Sequence, residues 1–69
     1  MLTEREQKIM ELLAKGMSNQ TISKNLNISV HTTKAHLESI YDKLNVKNRV
    51  QAVIKSILLN LINVDEINL

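Results

Sequence analysis

The chain has 69 residues, enough for one domain with a small core and little room for an enclosed catalytic pocket. It contains no cysteine, which excludes a disulfide framework and a thiolate metal site. The net charge of +2 hides an uneven distribution: residues 15–55 hold seven basic groups against two acidic ones while both flanks are net acidic, and a cationic middle suits a polyanionic partner.

The N-terminal "MLTEREQKIM" is charged and lacks the apolar centre of a signal peptide. The longest apolar stretches, such as "SILLNLINV", are too short and too interrupted to span a bilayer. Proline is absent, glycine occurs once, and apolar residues recur at spacings of three and four. That periodicity predicts an all-α chain. A single domain over residues 1–69 is expected, with a short flexible tail from about residue 63.

The first predicted helix starts at "LTERE". Thr3 is a suitable N-cap, and Glu6 three residues on completes a capping box. Ile9, Leu12 and Leu13 form its buried stripe, flanked by Leu2 and Met10, and Gly16 ends it. Ser18 caps a short second helix, "NQTISKNL", with Ile22 and Leu26 on its apolar edge. Asn27 follows as a residue tolerant of left-handed geometry, then Ile28 as a plug and Ser29 as the next N-cap. A third helix is predicted over 30–44, burying Thr33, Leu37, Ile40, Tyr41 and Leu44. "NVKN" breaks the pattern, with Val46 as a buried anchor. A fourth helix is predicted over 49–61.

The third helix concentrates reactive side-chain types, yet none forms a reaction centre. His31 and His36 lie about 140° apart around a helix and cannot share a metal. Glu38 and Asp42 share an exposed face with no pocket to tune two carboxylates. No hydroxyl has the general base and oxyanion donors a nucleophile needs. No catalysis, metal or cofactor is therefore expected, and no small-molecule ligand in this segment.

The second and third helices have the parts of a helix-turn-helix in order. Ile22 and Leu26 face inward, Ser23 is small where two helices cross, and Asn27 takes the turn position. Ile28 plugs the turn, and Thr33 and Leu37 bury the third helix. An ordinary helical hairpin with one wet face shares that spacing.

The segment at residues 2–53, about three-quarters of the chain, resembles the DNA-binding domain of the LuxR family, also called GerE-like or NarL-type. The resemblance rests on Leu2-Thr3-x-Arg5-Glu6, Gly16-x-Ser18-Asn19, Ile22, Leu26, Ile28-Ser29, Thr32-x-Lys34-x-His36, Lys43-Leu44-x-Val46 and Arg49-x-x-Ala52-Val53. It implies a four-helix bundle whose third helix reads double-stranded DNA and whose fourth helix mediates dimerisation. It also implies a bacterial transcription regulator acting in the cytoplasm on the nucleoid, with RNA polymerase as a further candidate partner. Such a segment is either a compact stand-alone regulator or a piece of a larger response regulator. Thr33 stands where the family usually has valine, and its hydroxyl needs a partner such as a carbonyl one turn back. Glu38 stands where relatives often carry a basic or neutral group.

On that frame Val30, His31, Lys34, Ala35 and Glu38 are expected to read base edges. Lys34 suits guanine O6/N7 or a phosphate, Ala35 a thymine methyl, and Glu38 a cytosine amino group or a neighbouring lysine. Ser18, Asn19, Gln20, Thr32, His36, Lys43, Lys47 and Asn48 are expected along the phosphate backbone, with His36 equally suited to half-buried packing. On the fourth helix, Val50, Val53, Ile54, Ile57 and Leu61 are expected to face the core. Ala52, Ser56 and Leu59 are expected on the far side as a homodimer contact. Two alternatives stay open: a promoter-binding domain like region four of a sigma factor, and a helical protein-interaction module using its Leu/Ile-rich end.

Overall fold

Side-chain caps set where each helix begins. In the computed structural model, which describes residues 1–67, Thr3 Oγ1 accepts from Glu6 N at 3.1 Å while Glu6 Oε1 accepts from Thr3 N at 2.8 Å, starting α1 (Glu4–Ala14). Ser18 Oγ accepts from Thr21 N at 3.2 Å at the head of α2 (Asn19–Leu26). Ser29 Oγ accepts from Thr32 N at 3.0 Å at the head of α3 (Val30–Leu44). Asn48 Oδ1 accepts from Gln51 N at 2.9 Å at the head of α4 (Arg49–Leu58). Each cap satisfies one of the amide donors that the first helical turn leaves unpaired.

All four helices also stop in the same way. The stop residues are Gly16 (φ +86°), Asn27 (+57°), Asn45 (+56°) and Asn60 (+58°). After each, the next N–H reaches back five residues: Met17 to Leu12 O, Ile28 to Ser23 O, Val46 to Tyr41 O and Leu61 to Ser56 O, at 2.8–3.3 Å. That residue is apolar every time, and Met17, Val46 and Leu61 pack back against the core. Asn60 explains why α4 ends at Leu58, three residues before the predicted Leu61.

The core is built by Ile9, Met10, Leu12 and Leu13 of α1, Ile22 of α2, and Leu37, Ile40 and Leu44 of α3, with Ala52 and Ile62. Met10, expected at the flank, is wholly buried. α3 packs on each of the other helices, and α4 lies on α1 and α3. Beyond α4 the expected tail forms a 3-10 turn, Val64–Glu66, capped by Asn63, and Ile67 packs on the core. Residues 68–69 of that tail lie outside the described residues. No described helix is long and apolar enough to cross a membrane.

Candidate nucleic-acid interface

Two buried polar ties fix how α3 sits. On one flank, Ser23 Oγ and Thr33 Oγ1 meet at 2.7 Å where α2 crosses α3, both residues being buried. Ser23 Oγ donates to Asn19 O at 2.6 Å, so its single proton is spent. Thr33 also has one proton, which is shared between Ser23 Oγ and Ser29 O, one turn back at 3.2 Å. The hydroxyl that stands in place of valine is thus satisfied, by the expected carbonyl and by a serine small enough to admit it.

On the other flank, Glu6 of α1 is buried yet charged. Its Oε1 accepts from Lys43 Nζ at 2.7 Å and its Oε2 from Ser39 Oγ at 2.7 Å, in addition to the cap bond from Thr3 N. The lysine, above all, holds the Glu6 carboxyl down at about 2; Ser39 and Thr3 add to this, and burial opposes it. Lys43 was expected on the DNA backbone. Its ammonium is engaged by the only carboxylate that is buried among the described residues, while the lysine side chain itself stays 37% exposed. The sequence marks Glu6 as a capping residue and a family match but not as a tie to α3, because its other partners lie 33 and 37 residues away.

Between these ties α3 presents an open side. Val30, His31, Thr32, Lys34, Ala35, Glu38 and Asp42 are exposed, whereas Thr33, Leu37, Ile40 and Leu44 are buried. All five residues expected at base edges therefore share one uncovered side of the helix. His36 is half-buried on the edge. Among the described residues, neither Lys34 nor Glu38 makes a side-chain hydrogen bond or ion pair, so the two do not pair with each other. They line a cleft of about 230 Å³ with Asn19, Leu37, Tyr41 and Arg49.

The flanking polar residues divide. Gln20 and Lys47 are exposed. Ser18 and Asn48 are helix caps whose oxygens are engaged, and Thr32 Oγ1 accepts from Ser29 Oγ at 2.9 Å. Asn19 Oδ1 accepts from Arg49 Nη2 at 3.1 Å, and Arg49 Nη1 also donates to Met17 O at 3.3 Å. Arg49 thereby binds the start of α4 to the start of α2. The sequence offered it only as a cation and as a mark of the family.

The fourth helix is rolled away from the expected orientation, although Val53 and Leu61 pack against the core as expected. Ala52 and Ser56 are completely buried, with Ser56 Oγ donating to Ala52 O at 2.7 Å, and cannot belong to an external contact. Their small side chains instead let α4 lie close on its neighbours. Val50 and Ile54, expected inside, are 64% and 53% exposed, and Leu58 is 75% exposed. Val53, Ile57 and Leu61 are half-buried. Leu59, exposed as expected, is not on the helix but at its C-cap.

Residues 1–56 match the family described as bacterial regulatory proteins, luxR family. The response regulator protein VraR of Staphylococcus aureus (strain Mu3 / ATCC 700698) is 50% identical over 62 residues, covering 90% of this chain and 30% of VraR. Among solved structures, the response regulator ChrA of a heme-sensing two-component system superposes with a TM-score of 0.88 at 40% identity, over 90% of this chain and 31% of ChrA. The transcription factor GerE superposes at 0.84 and 35% identity, over 90% of this chain and 92% of GerE. The chain thus spans under a third of the two response regulators and nearly all of GerE. The family match over most of the chain and the agreement of fold with these structures point the same way, and the chain belongs to the LuxR family of DNA-binding transcriptional regulators.

Proposed function

We propose that this chain binds double-stranded DNA sequence-specifically, with α3 in the major groove, as the DNA-binding part of a bacterial response regulator. The single observation that carries this reading is the uncovered side of α3, on which Val30, His31, Lys34, Ala35 and Glu38 stand exposed. A major groove about 12 Å wide admits one such helix. Lys34 serves guanine O6/N7, Ala35 a thymine methyl, and Val30 and His31 the base edges near the start of the helix. Ser18, Gln20, Thr32, His36, Lys47 and Asn48 track phosphates, mainly through backbone amides where their side chains already cap helices.

Pairing of two copies through α4 is part of the same reading. Val50, Ile54 and Leu58 recur every fourth residue and leave an apolar stripe in water. A two-fold pair places two reading helices one DNA turn apart, about 34 Å. The complex works in the cytoplasm, with RNA polymerase as its further partner.

Selection of bound sites from random duplexes tests the reading, because it reports base preference and half-site spacing together. Lys34→Ala is expected to weaken the selected site by about 1–3 kcal/mol and random DNA far less. Affinity is expected to fall with salt at a log–log slope of roughly −0.9 per phosphate neutralised. Failure to enrich any site, or affinity independent of salt, rejects the proposal.

A further inference from the structure

Resting on that reading, we propose that Glu38 is the residue that selects cytosine, by accepting a hydrogen bond from its N4 amino group and by being repelled from the acceptor atoms of the groove. Glu38 is exposed in the middle of the open side of α3, one turn after Lys34 and one turn before Asp42. Its carboxylate makes no hydrogen bond or ion pair among the described residues, although Lys34 on one side and Arg49 across the cleft lie near. Arg49 is occupied by Met17 O and Asn19 Oδ1. The charge on Glu38 is therefore left for whatever enters the groove.

A carboxylate accepts hydrogen bonds and donates none. Phosphates, guanine O6 and N7, and thymine O4 are all acceptors and repel it. Adenine offers an amino group, but beside the N7 acceptor. Cytosine alone presents an amino donor with no acceptor next to it on its major-groove edge. Lys34 lies one turn away on the same side and has the opposite requirement, for the acceptors of guanine. The two side chains are about 6 Å apart at their Cβ atoms, so they meet the same base pair or adjacent ones. Lys34 and Glu38 together thus favour a G·C pair read from both strands, or a guanine and a cytosine at neighbouring steps. The carboxylate has a second effect: it weakens binding to DNA of arbitrary sequence, where a phosphate or an acceptor edge faces it.

The test is a set of binding measurements on the wild-type chain, Glu38→Gln and Glu38→Ala, with duplexes selected from random sequence and with random duplex. Circular dichroism melts establish that these surface variants remain folded. Wild type is expected to show one cytosine position next to or opposite the guanine lost in Lys34→Ala. In Glu38→Ala, preference for that cytosine is expected to fall about tenfold or more. Both variants are expected to bind random duplex as tightly as wild type or several-fold more tightly. Unchanged base preference in both variants overturns the proposal, as does preference for adenine at that position. Equal loss on selected and random duplex also overturns it, since Glu38 would then act on binding in general. If wild type enriches no site, the DNA reading itself has failed and this inference fails with it, a result distinguishable from a site that is enriched but indifferent to residue 38.

Discussion

The carboxylate of Glu6 and the ammonium of Lys43 meet at 2.7 Å and tie the first helix to the helix that carries the open polar face. Ser39 Oγ closes on the same carboxylate from one turn earlier on α3. Replacing one carboxylate oxygen by an amide NH2 deprives either the lysine or the serine of its acceptor, and the lysine of its counter-charge. Glu6→Gln is expected to destabilise the fold by about 1–3 kcal/mol, the range for charge-assisted hydrogen bonds, in urea unfolding at neutral pH. A change below the experimental error would mean the ties contribute nothing net.

The same carboxylate gives a pH signature. Its folded value is lowered from 4.5 to about 2, so its contribution is complete above 4.5 and is lost as pH falls toward and through about 2. Wild type is expected to lose its advantage over Glu6→Gln across that window, and the two unfolding curves to converge at its acid end. A gap of constant size from pH 7 to pH 2 would contradict the assignment.

The crossing of α2 and α3 is expected to tolerate valine at position 33. In Thr33→Val the hydroxyl of Ser23 keeps Asn19 O as its acceptor, so no buried donor is orphaned. Stability should stay within about 1 kcal/mol of wild type, as when a hydrogen-bonding group is replaced by an apolar one of the same shape. Ser23→Leu is the contrasting case: it forces volume into a closed crossing and should cost about 1–3 kcal/mol or more. Denaturant midpoints of the two variants decide the matter.

Leu58→Glu and Ile54→Glu place charge on the outer stripe of α4. Both should preserve the thermal midpoint and reduce cooperative binding to a two-half-site duplex. Ala52→Glu instead buries a charge against α1 and α3 and should unfold the chain. Cooperativity that survives both outer substitutions would place the pairing surface elsewhere.

The left-handed stops respond to chemistry in a sign-specific way. Asn45→Gly should stabilise by up to about 1 kcal/mol, because glycine meets no penalty at positive φ. Asn45→Ala should destabilise by about 1 kcal/mol, as any Cβ without a helpful side chain does there. Calorimetric midpoints moving the same way for both would show that φ is not the controlling factor.

Much of this architecture is visible in the residues because local chemistry writes it. Thr3, Ser18 and Ser29 announce helix starts, and Gly16 and Asn27 announce stops, through groups within five residues of one another. Asn45 and Asn60 carry the same instruction but are harder to single out, since asparagine also fills positions 19, 25 and 48 with no such role. The phase of α4 differs from the expected one for a physical reason. Its large apolar side chains form one clear stripe, and periodicity reports the stripe without reporting which way it faces. Here the core takes the small residues opposite, where helices approach closely. The pairing of Lys43 with Glu6 is equally hidden in the sequence, because the two lie 37 residues apart and charge patterns do not encode distance in space. The open side of α3 was legible, since it is what remains once a single helix buries Thr33, Leu37, Ile40 and Leu44.

Only Asn27, Ile28 and Ser29 separate α2 from α3. One extra residue inside the first turn of α3, after Ser29 and ahead of Lys34, would shift the phase between the cap and everything beyond it by about 100°. Exposed side chains can be exchanged singly, whereas the count of residues between the cap and the side that meets the groove cannot change without re-aiming them.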